Sequence, residues 1–268
     1  MLLAIDIGNT TMGFAVMQKN GRIVTTVTVD TDSKTSKIKA VVAKILKAQV
    51  ISRAVICSVV PKASIILEDI LKRTVPVDVI GRDIVVPIKN GYKNPKQVGQ
   101  DRLVGAYGAM KIYGCPLIIV DLGTAITFDV ISQKGEYLGG AIVPGIRLSA
   151  ESLFLKTALL PKIEIQAPKH IIGKTTQESM LSGLFYGYGS LCKGMIDLLS
   201  SKVSRGPMRA ISRAAVSLRG AHLSDEAISV KVIMTGGHTH LMKKFVSPKI
   251  RIIDEDLVYK GIYFLSNS

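Results

Sequence analysis

The sequence predicts an α/β protein made of one unit used twice, two domains with a cleft between them. Three observations predict it. An apolar strand ending in Asp-x-Gly occurs at Leu3–Gly8 and again at Ile118–Gly123. Each copy runs into two further strand patterns joined around a glycine turn. Segments of helical periodicity then follow each set of strands. Laid over Ile118 to Asp129, the stretch from Leu3 to Phe14 matches apolar, Asp, apolar and Gly in order. Two apolar strands align easily by chance, but a shared Asp and Gly at the same offsets point to duplication.

The first copy opens with a buried-strand pattern over Leu2–Ile7. Strands over Met12–Met17 and Ile23–Val29 flank Lys19-Asn20-Gly21, a good hairpin turn. Ile38, Val41, Val42, Ile45 and Leu46 repeat at helical spacing, and Ser33, Thr35 or Ser36 can cap that helix. Ala54–Val60 reads as a buried strand ended by Pro61, and Ile65–Lys72 as a helix. Pro87–Pro95 is polar and rich in turn formers, hence a loop, and a helix runs from about Val98 to Tyr113. The second copy has strands at Leu117–Val120, Ala125–Ile131 and Tyr137–Val143, the last two joined around Gln133-Lys134-Gly135. Helices follow near Ile146–Ala158 and Thr176–Ser200, then a strand at Val230–Met234 and the turn Thr235-Gly236-Gly237. Ser201–Ser229 has little periodicity beyond Ile211–Leu218 and reads as an excursion with partial helix. The expected division is residues 1–114 and 115–268.

Composition narrows the class. The chain has 268 residues, is 47% hydrophobic and lacks an uninterrupted apolar run of about 20 residues, which argues against a membrane span. Asp6 interrupts the apolar start, and no basic segment precedes it, so a signal peptide is not expected. Cys57, Cys115 and Cys192 are far apart and odd in number, without metal or disulfide spacing, which fits a reducing cytoplasm. The net charge of +15 draws in nucleotides and other anionic substrates. The lysines are scattered, without aromatic-basic interleaving, which argues against a nucleic-acid partner.

The chemistry-bearing residues fall in three places. In Asp6-Ile7-Gly8-Asn9-Thr10-Thr11 a strand delivers a carboxylate to a tight turn followed by backbone N–H groups and hydroxyls. Such a turn can cradle phosphate without a lysine loop, and Asp6 can hold Mg²⁺ against nucleotide phosphates. Asp121-Leu122-Gly123-Thr124 repeats the device, and Gly236-Gly237 supplies a third turn after a late strand. Between them, Tyr92 precedes Gly99-Gln100-Asp101-Arg102 at a helix start. There the helix dipole keeps Asp101 ionised, able to accept a hydroxyl proton, and Arg102 can bind an anion. Each motif alone is as well explained by an ordinary turn or first helical turn; their order along the chain is what gives them weight.

Two acidic turns and a later Gly-Gly turn resemble the actin, sugar-kinase and chaperone ATPase superfamily, whose fold is the duplicated actin-like (ribonuclease H-like) one. More specifically, the chain resembles the type III pantothenate kinases along nearly its whole length. The resemblance rests on Asp6-Ile-Gly-Asn-Thr10, Tyr92-Lys-Asn-Pro95, Gly99-Gln-Asp-Arg102, Asp121-Leu-Gly-Thr-Ala-Ile-Thr-Phe128, Gly139-Gly-Ala-Ile-Val-Pro-Gly145, Ile172-Gly-Lys-Thr-Thr176, Ser179-Met180 and Gly183. It implies ATP-dependent phosphorylation of pantothenate, the first step toward coenzyme A, with Asp101 as proton acceptor. Tyr92, Gly99, Gln100, Asp101, Arg102 and Thr176 would contact pantothenate. Asp6, Ile7, Gly8, Asn9, Thr10, Thr11, Met12, Gly13 and Thr124 would contact ATP. Asp121 would be a ligand of K⁺ or NH₄⁺, and Mg²⁺ would accompany the nucleotide. The family also implies a cytoplasmic homodimer in which Thr176 reaches the neighbouring active site. Gln100 stands where the family usually has Ala, and His238 where it commonly has Leu. The alternatives are a kinase of another hydroxylated acid and a nucleotide-binding accessory protein that regulates transcription.

Overall fold

A computed structural model describes residues 1–205 and 229–267 as two compact units. The expected excursion is outside the described residues from residue 206 to residue 228. The first unit comprises residues 1–112 with 256–268, the second residues 113–255.

In the first unit β1 (Leu2–Ile7), β2 (Thr11–Met17) and β3 (Ile23–Asp30) form a meander. Then come α1 (Thr35–Ala48), β4 (Arg53–Ser58), α2 (Pro61–Leu71), β5 (Val77–Val79) and the short β6 (Lys89–Asn90). A 3₁₀ turn at Pro95–Gln97 leads into α3 (Gln100–Tyr113). The sheet order is β3-β2-β1-β4-β5, with β4 and β5 parallel to β1. Leu3, Ile5 and Ile7 share a core with Ile38, Val42 and Ile45 of α1 and Leu67 and Leu71 of α2. Strand alternation therefore turns Ala4 and Asp6 to the opposite face. Helix α2 begins at Pro61, earlier than expected, because proline is well suited to the first helical position.

The second unit holds β7 (Leu117–Leu122), β8 (Ala125–Ile131), β9 (Glu136–Pro144), α4 (Ile146–Lys156) and α5 (Thr176–Arg205). They are followed by β10 (Lys231–Thr235), α6 (Thr239–Met242) and β11 (Ile252–Ile253). The order of its own strands, β9-β8-β7-β10-β11, repeats that of the first unit, with β10 and β11 parallel to β7. The duplication read from the sequence is thus a duplication of topology. Both hairpin turns form as expected, with Gly21 and Gly135 at φ of 82° and 76°, a region that favours glycine. Alternate residues of β7 and β8, Ile118, Val120, Ile126 and Phe128 among them, pack under Leu181, Leu184, Phe185, Cys192 and Ile196 of α5. On the other face of β8 the buried Asp129 accepts hydrogen bonds from Tyr137 Oη at 2.6 Å and Thr127 Oγ1 at 3.1 Å, so its burial is compensated.

The chain does not end in the second unit. Helix α7 (Leu257–Ser266) belongs to the first, so the units divide near residue 112 and again at 255, where the sequence suggests one division. The reason is packing: α7 lies on β1 and crosses α3 where Gly108 meets Gly261, a Cβ on Gly108 coming 2.9 Å from the Gly261 backbone. No helix among the described residues is long and apolar enough to cross a membrane.

Candidate active site

The first acidic turn is fixed by its own backbone. Gly8 N donates to Thr11 O at 2.9 Å. Thr31, just beyond β3, donates from Oγ1 to Gly8 O at 2.7 Å and from N to Thr10 O at 2.9 Å. Asn9, Thr10 and Thr11 are exposed at the tip, whereas Ile7 and Met12 are fully buried in the core. Of the stretch expected to meet ATP, those two residues have only backbone to offer.

Asp6 is flanked in the sheet by Gly13 on β2 and Cys57 on β4. The Cys57 thiol is pushed well up by complete burial and then by the charges of Asp6 and Asp101. The start of α3 lies near the end of β1: a Cβ on Gly99 would touch Val59 Cγ1 at 3.4 Å, and Val59 N donates to Ile7 O at 3.0 Å. Asp101 lies in the first turn of α3 and accepts the Arg102 N–H on Oδ1 at 2.8 Å. Gly99 gives that carboxylate its room, since a Cβ there would lie 2.4 Å from Asp101 Oδ1. Gln100 turns elsewhere: its side chain lies over Gly81, 3.0 Å from where a Cβ would stand. Tyr92 lies in the loop before α3, where its N–H donates to Asn90 Oδ1 at 3.0 Å.

The second unit builds a corresponding turn. Gly123 N donates to Ala125 O at 3.1 Å, and Gly145 N to Thr124 O at 2.9 Å. Gly145 cannot carry a side chain without meeting the Gly123 and Thr124 carbonyls, 2.5 and 2.4 Å from the Cβ position. The Gly-Gly turn sits against Asp121, for Thr235 is paired with Asp121 across β10 and β7 and His238 N donates to Leu122 O at 3.0 Å. Arg147 of α4 donates from Nε to His238 Nε2 at 3.2 Å. Burial and the Arg147 charge lower the His238 pKa, so its imidazole is a neutral acceptor. Sequence reading singles out neither Arg147 nor Cys57; strand register and helix placement put them beside the turns.

Thr176 is the exposed first residue of α5. The helix start is capped: Thr175 Oγ1 accepts the Glu178 N–H at 3.2 Å, and Glu178 Oε2 accepts the Lys174 N–H at 2.8 Å. Leu155, Leu159, Ile171 and Ile172, in and after α4, are 64%, 91%, 64% and 77% exposed.

Among the described residues no three His, Cys, Asp or Glu side chains cluster as metal ligands. A divalent ion held by Asp6 would fit the usual Mg²⁺ arrangement of one or two carboxylates completed by phosphates and water.

Residues 2–198 match the family of type III pantothenate kinases. The chain belongs to that family. A type III pantothenate kinase of Persephonella marina is 41% identical, covering 98% of this chain and 97% of the relative. One of Finegoldia magna is 37% identical, covering 100% and 97%. A solved structure of a conserved Campylobacter jejuni protein assigned to the Baf family aligns with a TM-score of 0.60 at 18% identity, over 99% of this chain and 97% of that one, and shows a shared fold. Matches to type III pantothenate kinases thus run through both units, including the β10 turn and α7 beyond the family match.

Proposed function

We propose that this type III pantothenate kinase transfers the γ-phosphoryl group of ATP to the primary hydroxyl of pantothenate, opening coenzyme A synthesis. The observation that carries the reading is the packing of Gly99, at the start of α3, against Val59, whose N–H donates to Ile7 O beside Asp6. This supports a turn able to cradle phosphate near a carboxylate at a helix start, the pairing that in-line phosphoryl transfer would use.

In this reading Asp101 orients the pantothenate hydroxyl and accepts its proton as the new O–P bond forms and the bond to ADP breaks. Arg102 and Tyr92 bind the anionic, partly apolar acceptor, with Gly99 and Gln100 shaping the loop. The Gly8–Gly13 turn and Thr124 hold the phosphates, and the Gly236–Gly237 turn supports adenosine. Mg²⁺ at Asp6 and K⁺ or NH₄⁺ at Asp121 would neutralise phosphate charge.

The protein acts as a cytoplasmic homodimer in this reading, Thr176 of one subunit serving the pantothenate pocket of the other. Support comes from the exposed apolar side chains of Leu155, Leu159, Ile171 and Ile172, which lie in and after α4 before the start of α5.

A coupled assay of ADP release, with and without pantothenate and K⁺, tests the function. Release should require both. Pantothenate-independent release, or release driven only by another hydroxylated acid, overturns the substrate assignment.

A further inference from the structure

Tyr259 stands on α7, the helix packed on β1. Gly13 is the antiparallel partner of Asp6, so both face the same side of the sheet. Gly13 has nothing to place there, and the Tyr259 hydroxyl takes the room. A Cβ on Gly13 would lie 1.9 Å from Tyr259 Oη but 3.2 Å from Cζ. On the other flank of Asp6 the buried Cys57 holds the equivalent position on β4.

Helix α7 is pinned in register above this face. Its Gly261 meets Gly108 of α3, and its Tyr263 donates from Oη to Lys19 O at 2.8 Å. Tyr259 therefore has little freedom to withdraw. Burial, and then the charges of Asp6 and Asp256, raise the phenol's pKa, so it is protonated and a hydrogen-bond donor at neutral pH.

We infer that Tyr259 is a positioning residue of the first acidic turn: its hydroxyl occupies the place that Gly13 leaves open and steadies the Asp6 carboxylate for a Mg²⁺-bound nucleotide. The inference rests on the nucleotide reading of that turn. It also assigns the glycine at position 13 a reason, since the hydroxyl and a side chain at 13 exclude one another.

The test is equilibrium binding of the β,γ-imido analogue of ATP, with and without Mg²⁺, by calorimetry on the full chain. Tyr259→Phe keeps the ring and removes the donor. It should bind the Mg²⁺-analogue about three- to tenfold more weakly, the usual worth of one polar interaction beside a charged group, with metal-free binding and melting temperature little changed. Gly13→Ala should lose more, because its methyl displaces the hydroxyl. The double variant Gly13→Ala/Tyr259→Phe should recover to the level of Tyr259→Phe, because the remaining Cζ contact yields with a small shift. Wild-type affinity in Tyr259→Phe, or a double variant no better than Gly13→Ala, overturns the inference. Absence of analogue binding by the wild-type chain would instead overturn the nucleotide reading of the turn. If Gly13→Ala does not fold, Tyr259→Phe alone decides.

Discussion

Asp121 and Gly236 meet so closely that a Cβ on Gly236 would lie 2.2 Å from Asp121 Oδ1. The glycine has φ of 93°, a region strained for any side chain. The second acidic turn and the Gly-Gly turn are therefore one construction, and the proposed cation ligand packs against a residue in the turn after β10, more than a hundred positions away. Gly236→Ala should destabilise the chain by about 1–3 kcal/mol in denaturant unfolding, from backbone strain alone. It should also weaken activation by K⁺.

Activity should depend on K⁺ or NH₄⁺, and Na⁺ should serve poorly. Asp121→Ala should raise the K⁺ needed for half-maximal rate by about tenfold or more, since even residues that only orient metal ligands contribute that much. Rates measured in potassium, sodium and a large organic cation decide it. Equal rates in all three would remove the cation role.

Asp101→Asn should keep the fold and nucleotide binding but lower turnover by about 10²–10⁴-fold, the usual worth of a general base. The amide is nearly isosteric, and the Arg102 N–H that now bonds Asp101 Oδ1 at 2.8 Å can still be accepted by the amide oxygen. Turnover near wild type in a folded variant would end the assignment. Gly99→Ala should lower turnover too, because its methyl would enter the space of the same carboxylate.

The sequence makes both Asp-Gly hairpins legible, since each strand ends in a carboxylate and a glycine that the turn needs. It does not show that the second turn is shorter. Asp6 pairs with Gly13 but Asp121 with Thr127, so the ungapped superposition slips by one residue beyond the turn. Strands β5 and β11, of three and two residues, are too short to produce a period. Helix α7, Leu-Val-Tyr-Lys-Gly-Ile-Tyr-Phe-Leu-Ser, buries Leu257, Gly261, Ile262 and Leu265 at helical spacing, but that spacing says nothing of its return to the first unit, which only packing decides. Among the candidate residues, Asp6, Asp101 and Asp121 stand out because acidic groups at turns and helix starts are informative. Cys57 and Tyr259 do not, because a thiol and a phenol in apolar segments look like core until the sheet register is known.

His238 should give stability a recognisable pH dependence. Its pKa is lowered from 6.5 by burial and then by Arg147, with His240 adding a small push the same way and hydrogen bonds to the Gly123 and Leu122 backbone opposing. The folded chain therefore binds fewer protons at this site than the unfolded chain. The stability it contributes is fully present above about pH 6.5 and is lost as pH falls through the lower folded value. Chemical unfolding of the wild type and His238→Leu across pH 4.5 to 8, a window chosen to span about two units around that value, tests this. The gap between them should be flat at the alkaline end and move against the wild type on acidification. A gap that stays constant throughout would show that the Arg147–His238 contact does not respond to protonation.

Mixed dimers test the composite site. If Thr176 serves the partner's Asp101 pocket, Asp101→Asn and Thr176→Val should each be weak as homodimers. The start of α5 tolerates the second change, because Thr175 and Glu178 cap it and the exposed Thr176 side chain is not needed for that. When the two variants exchange subunits, a two-fold interface lets both lesions fall into one pocket and leaves the other intact. Such a heterodimer should recover about half of wild-type activity if the pockets work independently. A Tyr92 variant should complement Thr176→Val and fail to complement Asp101→Asn, because Tyr92 and Asp101 come from the same chain. Exchange can be verified by tagging one variant and measuring the tagged fraction that carries untagged partner. Confirmed exchange without recovery would mean that each pocket is completed within one chain, or that Thr176 only begins its helix.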